Sequence, residues 1–395
     1  MYQSAASMFK NRKVIILGFG REGMSTYRFL RNMYPDMHLT IADKNEIKLD
    51  DKNVTLICGD SYMDSLNDFD IVMKSPGIAF LDVDIKDGTL VTCQTDLFLK
   101  FALCRKVGIT GSKGKTTTST LIYDMLKEGG FDARLIGNIG VPVLEDINTV
   151  TPETIAVIEM SSHQLEFTTS SPEVAVLTNI YEEHLDHYRD GFRGYVNAKL
   201  NIVRRQKESD TFIYNATQGL DGLCDLGKIK SHKVGVKKDA PLPFAVNNEH
   251  LLGEHNRQDI LFAFEAAKHF GVDIAAAERA VEKFSGIEHR MEKVGTFRGI
   301  TFYNDCIATI PHAVECAVEA LKNVDTLIFG GMDRGLDYSE FENYLNKSNI
   351  KNLIGTPETG HKICDKIEGA PQKNVYKAAN LDEAVKKAYE VTEKG

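Results

Sequence analysis

The chain has 395 residues, of which 43% are hydrophobic and 26% are charged, enough for two or three globular domains. Its formal net charge of −9 provides no basic field, which argues against nucleic acid or an anionic membrane as a partner. Seven cysteines without a Cys-x-x-Cys pair, short apolar runs and the lack of a signal-peptide core predict a cytoplasmic protein with reduced thiols and no membrane span.

Predicted strands and helices alternate along the chain, as in parallel α/β folds. The short apolar runs that predict strands are 14–17, 39–42, 71–73, 106–109, 135–136, 155–158, 174–177, 211–214, 300–303 and 326–329. A near-helical spacing of apolar side chains from Met24 to Tyr34 predicts a helix after the first strand. We therefore expect three α/β domains, at 1–103, 104–291 and 292–395. The polar stretch 226–248 is expected to be surface structure of the second domain.

A glycine-rich stretch in the second predicted domain is typical of a phosphate-binding loop. Gly108-Ile-Thr-Gly-Ser-Lys-Gly-Lys-Thr-Thr follows a predicted strand and precedes a predicted helix. Its backbone N–H groups and the helix N-terminus suit phosphate oxygens, with Lys115 on the β and γ phosphates and Thr116 on magnesium. Ile109 occupies the first glycine of the strict P-loop pattern, so a merely flexible glycine loop is the alternative.

An acidic metal ligand is expected near this loop. Glu159 ends the apolar run Ile155-Ala-Val-Ile, at the sheet edge where a magnesium ligand would lie, although a solvated strand end would look the same. The stretch 179–187 concentrates acids and histidines. A zinc site there lacks a third ligand at the right spacing. We therefore expect a polar loop that closes the nucleotide site, with His184 as a second metal ligand.

A second glycine motif, Gly18-x-Gly20-x-x-Gly23, follows the first predicted strand, and Asp43 ends the next strand. This arrangement is typical of dinucleotide-binding domains and makes an NAD-dependent oxidoreductase an alternative. The motif is weak alone, because it serves any phosphate-bearing ligand, and NAD binding leaves the P-loop unexplained. A nucleotide-switched interaction module is a third reading, but three ligand-sized clefts suit a three-substrate reaction better.

Taken together, these motifs resemble those of the Mur ligases, ATP-dependent enzymes that form amide bonds in peptidoglycan synthesis. The matching stretches extend over nearly the whole chain: 18–25, 75–78, 108–117, 137–140, 159–166, 179–187, 198–200, 253–256, 289–290, 304–305 and 330–331. The Ser-Pro-Gly-Ile run at 75–78 and the Ser-Ser-x-Gln-Leu-Glu run at 161–166 resemble the branch that adds D-glutamate to UDP-N-acetylmuramoyl-L-alanine. A Mur-type ligase with another amine donor is the alternative.

The resemblance implies three domains: an N-terminal Rossmann-like UDP-binding domain, a central P-loop ATPase domain and a C-terminal Rossmann-like domain that binds the amino acid. It also implies that ATP phosphorylates the substrate carboxylate and that the amine of D-glutamate attacks the acyl phosphate. ATP and Mg²⁺ are the implied cofactors, and the enzyme is expected to be a cytoplasmic monomer.

The resemblance also implies the site residues. Those expected to be catalytic are Lys115, Glu159, His184 and Lys199. Those expected around ATP are Gly111, Ser112, Lys113, Gly114, Lys115, Thr116, Thr117, Asn256, Asp259, Arg290 and Asp305. The UDP-substrate would contact Gly18, Arg21, Glu22, Asp43, Lys44, Ser75, Gly77, Asn138 and His184, and D-glutamate would contact Thr309 and Arg334. The metal ligands would be Thr116, Glu159, His184 and Lys199, the lysine as a carbamate.

Three positions depart from the pattern of the family. Ile307 replaces a lysine near the phosphates, Asp259 replaces an asparagine, and Arg334 replaces a lysine but keeps its charge. We expect Lys113, inside the glycine-rich loop, to supply some of the charge that Ile307 removes.

The last predicted helix, 381–389, is followed by no predicted strand. Chains of the resembling branch continue with a strand and a tail that helps to hold D-glutamate. We therefore expect the third domain to be incomplete, and we expect this chain to bind UDP-substrate and ATP but to ligate D-glutamate poorly or not at all.

Overall fold

The computed structural model describes residues 7–333, 336–367 and 372–394. The chain divides into two compact units, Met1–Asn247 with Arg257–Phe284, and Asn248–Asn256 with Ser285–Gly395. Within the described ranges, every helix is too short or too polar to cross a membrane.

The first sheet of the first unit has five parallel strands. They are β1 (Val14–Leu17), β2 (Leu39–Asp43), β3 (Val54–Cys58), β4 (Ile71–Lys74) and β5 (Leu90–Thr92), in the spatial order β3-β2-β1-β4-β5. Helix α1 (Arg21–Met33) connects β1 to β2, and α2 (Gln94–Phe101) follows β5. All four residues of the central strand β1 are buried, which explains why its apolar run is continuous.

The second sheet of the first unit has six parallel strands. They are β6 (Arg105–Thr110), β7 (Ala133–Gly137), β8 (Ile155–Glu159), β9 (Val174–Leu177), β10 (Thr211–Asn215) and β11 (His232–Val236), in the order β11-β10-β9-β6-β8-β7. Its helices are α3 (Lys115–Glu128), α4 (Val143–Asp146), α5 (Ser162–Leu165), α6 (Gly191–Arg204), α7 (Gly253–His269) and α8 (Ile274–Lys283). Because all these strands end at one edge, the loop after β6 and Glu159 at the end of β8 are neighbours, with Ile109 paired to Glu159.

The second unit contains the first four residues of α7, an antiparallel hairpin and a three-stranded parallel sheet. The hairpin strands are β12 (Glu292–Phe297) and β13 (Ile300–Asn304), and the sheet strands are β14 (Thr326–Gly330), β15 (Asn352–Thr356) and β16 (Asn374–Lys377), in that order. The helices are α9 (Pro311–Leu321), α10 (Ser339–Lys347), α11 (Thr359–Ile367) and α12 (Leu381–Val391). Phe341, Leu345, Leu353 and Ile363 belong to its buried apolar core.

The predicted α/β class with parallel sheets is confirmed, and each predicted strand lies inside an observed one. The prediction for 226–248 was incomplete, because His232–Val236 forms β11 at one edge of the second sheet. The domain boundaries near 103 and 291 stay predictions.

Candidate active site

Glycines shape the loop that joins β6 to α3. Gly114 caps the N-terminus of α3 with φ +82°, and a Cβ there would collide with the carboxylate of Asp259, a buried residue of α7. A Cβ at Gly111 would collide with the hydroxyl of Thr178. Only glycine therefore fits these two positions, and the loop follows a strand and opens a helix, as an anion-binding loop does.

Residues that follow β9 form hydrogen bonds with this loop. The backbone N–H of Ser112 donates to the Asn179 carbonyl at 2.9 Å, and that of Lys113 donates to Asn179 Oδ1 at 2.8 Å. The Thr178 hydroxyl donates to the Lys113 carbonyl at 2.5 Å, and the Ser112 hydroxyl donates to the Tyr181 carbonyl at 3.1 Å. The start of the stretch 179–187 thus packs against the loop, and its expected role in closing a nucleotide site stays a prediction.

Two lysines converge on one carbonyl of the loop. Lys115 Nζ donates to the carbonyls of Gly111 at 2.8 Å and Ser112 at 3.0 Å, and Lys199 Nζ donates to Gly111 at 2.7 Å. Lys199 is 2% exposed and its Nζ lies 4.6 Å from the centre of the Tyr195 ring. Burial, and secondarily the charge of Lys115, lowers the pKa of Lys199 well below its usual range. Burial thereby destabilises the charged form of the Lys199 side chain relative to the neutral amine.

Lys113 makes a different contact from the two converging lysines. Its Nζ lies 2.9 Å from Glu183 Oε1 in a largely buried ion pair. Burial alone would raise the pKa of Glu183, but the Lys113 charge and hydrogen bond hold it below its usual value. Part of the charge that Lys113 was expected to supply is thus already balanced within this unit.

Glu159 supplies a buried carboxylate beside α3. It is 2% exposed, and its Oε1 accepts a hydrogen bond from Asn138 Nδ2 at 2.7 Å. Its Oε2 lies 3.5 Å from the hydroxyl of Ser119, whose Oγ also donates to the carbonyls of Lys115 and Thr116 in the first turn of α3. The Glu159 carboxylate and the half-buried Thr116 are the kind of oxygen ligands that magnesium prefers. The sequence-predicted Thr117 is buried in the same turn.

Three histidines lie together after β8 and β9. His184 adopts a left-handed backbone with φ 55° and begins a single turn over Leu185–His187. The His163 ring lies 3.9 Å from the His187 ring and 4.9 Å from the His184 ring, between ring centres. Burial, with the neighbouring His187 and His184, lowers the pKa of His163 to about 3. In the described ranges, no three His, Cys, Asp or Glu side chains form a group able to hold a metal ion.

Hydrogen bonds and close packing within the first unit hold the glycine motif that follows β1. Gly18 has φ +87° and its carbonyl accepts a hydrogen bond from the Ser75 hydroxyl at 3.0 Å. A Cβ at Gly23 would collide with that same carbonyl, so α1 packs closely against the loop. Asp43 Oδ2 accepts a hydrogen bond from the Phe19 N–H at 2.6 Å.

The start of α1 reaches the second sheet of the same unit. Arg21 donates to the Gly140 carbonyl at 3.3 Å, and Glu22 Oε1 accepts a hydrogen bond from Gln164 Nε2 at 2.7 Å. Burial raises the pKa of Glu22. The other residues predicted to contact the UDP-substrate, Lys44 and Gly77, are exposed.

The second unit holds the remaining sequence-predicted residues. Asn256 is buried and donates to the Leu252 carbonyl at 2.8 Å, and Asp305 Oδ1 accepts a hydrogen bond from the Met291 N–H at 3.0 Å. Arg290 has a buried Nε without a hydrogen-bond partner among the described residues. Burial, with the charge of Arg290, lowers the pKa of His255 to about 4. Thr309 is exposed, and Arg334 lies outside the described residues.

Three family models match successive parts of the chain: the Mur ligase MurD-like N-terminal domain over residues 12–91, the Mur ligase middle domain over 109–267 and the Mur ligase glutamate ligase domain over 289–395. The chain belongs to the Mur ligase family. It is 34% identical to the UDP-N-acetylmuramoylalanine–D-glutamate ligase of Clostridium kluyveri, over 98% of this chain and 90% of the relative. It is 32% identical to the ligase of the same name from Ligilactobacillus salivarius, with the same coverage.

Solved structures of other Mur ligases share the fold. The MurF ligase of Thermotoga maritima in complex with ADP matches with a TM-score of 0.63 at 16% identity, over 98% of this chain and 90% of that one. The MurC ligase of Thermotoga maritima matches with a TM-score of 0.59 at 19% identity, over 97% and 94%. The Mur ligase resemblance is therefore confirmed, and the oxidoreductase alternative has no support from these comparisons.

Several residues of this Mur ligase site were not singled out from the sequence. Tyr195, whose hydroxyl lies 2.6 Å from the Ser112 Oγ, is four residues before Lys199 and shares its helix face. This four-residue spacing from Lys199 is the sequence feature that could have identified Tyr195. Lys74 and Gln164 meet their partners across the two sheets of the first unit, and no local pattern marks such contacts.

Proposed function

We propose that this Mur ligase joins D-glutamate to UDP-N-acetylmuramoyl-L-alanine at the expense of ATP, in peptidoglycan precursor synthesis. The observation that carries the ATP-dependent chemistry is the glycine loop with Lys115 and Lys199 on one carbonyl beside the buried Glu159. The names of the relatives, each at least 32% identical over nearly the whole chain, support the two other substrates. A cytoplasmic location and a monomeric state belong to the same proposal.

The loop residues would hold and neutralise the nucleotide phosphates. The N–H groups at the start of α3 suit phosphate oxygens, and Lys115 would exchange its hydrogen bonds to the Gly111 and Ser112 carbonyls for phosphate contacts. ATP, when bound, supplies the phosphoryl group that activates the substrate carboxylate. In the second unit, Asn256, Arg290 and Asp305 are proposed as contacts of ATP, as the family resemblance implies, and the buried Arg290 Nε has no hydrogen-bond acceptor among the described residues.

Magnesium would be held by Thr116, Glu159, His184 and Lys199, where it would stabilise the charge that develops during phosphoryl transfer. Glu159 fits this role because its buried carboxylate has one close hydrogen-bond donor, the Asn138 amide. Lys199 fits as a carbamate because only a neutral amine adds to carbon dioxide, and burial favours that form. The nitrogen attacks the carbon of CO₂ and releases one proton, which leaves an oxygen ligand of single negative charge.

A ligation assay tests the proposal. Phosphate release by the purified protein is expected to require UDP-N-acetylmuramoyl-L-alanine, D-glutamate, ATP and Mg²⁺ together. Replacing D-glutamate by L-alanine, L-lysine or diaminopimelate tests the alternative amine donors, and calorimetry with NAD tests the oxidoreductase reading. Micromolar NAD binding without a response to the UDP-substrate would overturn the proposal.

The P-loop role is tested by Lys115→Ala, which is expected to lower turnover ~10³-fold or more because it removes a charge-neutralising contact. Lys127→Ala, in the last turn of the same helix and exposed, is the matched control. Unchanged ATP affinity and turnover in Lys115→Ala would contradict the assignment.

A further inference from the structure

A buried ion pair joins the two sheets of the first unit close to the three histidines. Lys74, the last residue of β4, has a side chain that is 1% exposed, and its Nζ lies 3.2 Å from Glu166 Oε2. Glu166 directly follows α5 of the second sheet's layer. The rings of Phe80 and Phe167 lie 5.5 and 5.3 Å from the same ammonium. Lys74 also directly precedes Ser75, which binds the glycine motif after β1.

Glu166 extends this contact to the histidines. The same Oε2 lies 3.3 Å from His187 Nε2, and the backbone carbonyl of Glu166 accepts a hydrogen bond from Asn201 Nδ2 at 3.1 Å. His187 is 8% exposed, so its ring has little freedom to turn. Glu166 is therefore held at both its backbone and its carboxylate, and it fixes one nitrogen of His187.

The His187 ring leads in turn to His184. His163 lies with its ring centre 3.9 Å from that of His187, at an angle of 33°, and 4.9 Å from that of His184. The backbone N–H of His187 also donates to the His184 carbonyl at 3.1 Å. Packed rings at these distances cannot tilt independently, so the orientation of His187 constrains that of His184.

The opposite charges of Lys74 and Glu166 explain why the placement of the histidine rings depends on Lys74. Burial lowers the pKa of Lys74, and the Glu166 carboxylate opposes that effect. Burial would raise the pKa of Glu166, but the His187 hydrogen bond and the Lys74 charge hold it below its usual value. Removing either partner of a buried pair leaves the other charge uncompensated, and the remaining groups then rearrange.

We propose that Lys74 and Glu166 are positioning residues for the ligation reaction, because they fix His187 and, through the packed His163 ring, set the orientation of the His184 imidazole. This inference rests on the proposed function, in which His184 is a magnesium ligand, and on the contact of His184 with the UDP-substrate that the family resemblance implies. It couples two parts of one substrate's site: the Ser75 loop after β4, beside Lys74, and His184, at the other end of the chain of contacts.

The competing explanation is that the Lys74–Glu166 pair only stabilises the packing of the first unit. A contact of Thr169 provides a control for that explanation. Thr169, in the loop between α5 and β9, contacts helix α2: its N–H and hydroxyl donate to Asp96 Oδ1 at 2.7 and 3.2 Å. No hydrogen bond or ring contact between a histidine and either residue is seen in the described part of the chain. Thr169→Val removes the hydroxyl contact and leaves the Lys74–Glu166–His187 contacts in place.

The experiment compares Lys74→Met, Lys74→Arg and Thr169→Val with the wild-type chain. Steady-state kinetics are measured for each substrate in turn, ATP affinity by calorimetry, and the imidazole ¹H–¹⁵N correlations by NMR, with His184 assigned by His184→Gln. Lys74→Met is expected to lower kcat/KM for the UDP-substrate about tenfold or more, to leave ATP affinity within about twofold, and to shift the His184 resonances. Lys74→Arg is expected to restore most of the loss, and Thr169→Val is expected to change none of these readouts.

Should Lys74→Met fail to fold, the double substitution Lys74→Met with Glu166→Leu replaces both buried charges by apolar groups, a change that buried pairs often tolerate. It is expected to give the same kinetic and NMR changes. Wild-type kcat/KM and unshifted His184 resonances in the folded variant would overturn the inference, as would an equal effect of Thr169→Val. A wild-type chain that neither ligates nor binds ATP and the UDP-substrate would overturn the proposed function instead, and the NMR comparison would still decide the positioning.

Discussion

Glu173, directly before β9, ties three elements of the first unit together. Its carboxylate accepts hydrogen bonds from Arg105 Nη2 at 2.6 Å and Nε at 3.2 Å, and lies 3.1 Å from His269 Nε2. Although burial would raise the pKa of Glu173, these hydrogen bonds lower it to about 2. Glu173→Gln keeps the shape and a carbonyl acceptor but removes the charge, so it isolates the electrostatic part of this contact.

The size of the effect follows from the pKa. A carboxyl whose pKa falls from 4.5 to about 2 on folding contributes at most ~3 kcal/mol to stability. The side chain is 30% exposed and Arg105 is 40% exposed, so solvent screening reduces the expected loss in Glu173→Gln to about 1–2 kcal/mol at pH 7. Because the folded-state pKa is the lower one, this contribution is complete above about pH 5 and disappears as the pH falls toward 2.

Urea unfolding at pH 7, 5 and 3, followed by circular dichroism, measures this difference. The gap between wild type and Glu173→Gln is expected to be largest at pH 7 and much smaller at pH 3. The exposed Glu208 offers the control Glu208→Gln, which is expected to change stability little at any pH. A Glu173→Gln protein as stable as wild type at pH 7, or one equally destabilised at pH 7 and pH 3, would refute the reasoning.

Two further predictions concern the site. Gly114→Ala is expected to cost ~1–2 kcal/mol for its left-handed backbone and to weaken ATP binding, because the new Cβ would meet the Asp259 carboxylate. Gly130→Ala, with φ +83° and open space, should show the same backbone cost with normal ATP affinity in calorimetry, and equal ATP affinity of the two variants would contradict the clash. Lys199→Met is expected to abolish ligation while the fold is kept, and to remove a ¹³C NMR signal that wild type acquires with labelled bicarbonate. Persistence of that signal in the variant would place the carbamate elsewhere.

The strands that the sequence predicted are those whose apolar runs are continuous. β1 and β9 are buried throughout, so each residue shows the pattern. β3 and β16 consist of half-buried and exposed residues, and β11 is largely exposed, so their sequences look like surface loops. Strands that bury one side only leave too weak an apolar signal for a single sequence.

Some residues of the candidate site could likewise be recognised from the sequence, and others could not. The glycine-rich loop before α3 is local in sequence, so its glycines and Lys115 were recognisable from a few adjacent residues. Lys199 was singled out only through the family resemblance, because its contact with the Gly111 carbonyl spans 88 residues. Lys74 and Glu166 are 92 residues apart and carry no motif that pairs them. Contacts between distant segments require the fold itself.

The exposed residues of β11 affect how readily the chain aggregates while it folds. His232 and Lys233 are exposed on this edge strand, and Lys233 Nζ reaches back to the carbonyls of Ile229 and Ser231. Parallel sheets form slowly, and their free edges can recruit other chains during that time. Charged residues at such an edge act as gatekeepers against aggregation. A variant with an apolar β11 would therefore suffer in yield and refolding and would keep its activity once folded.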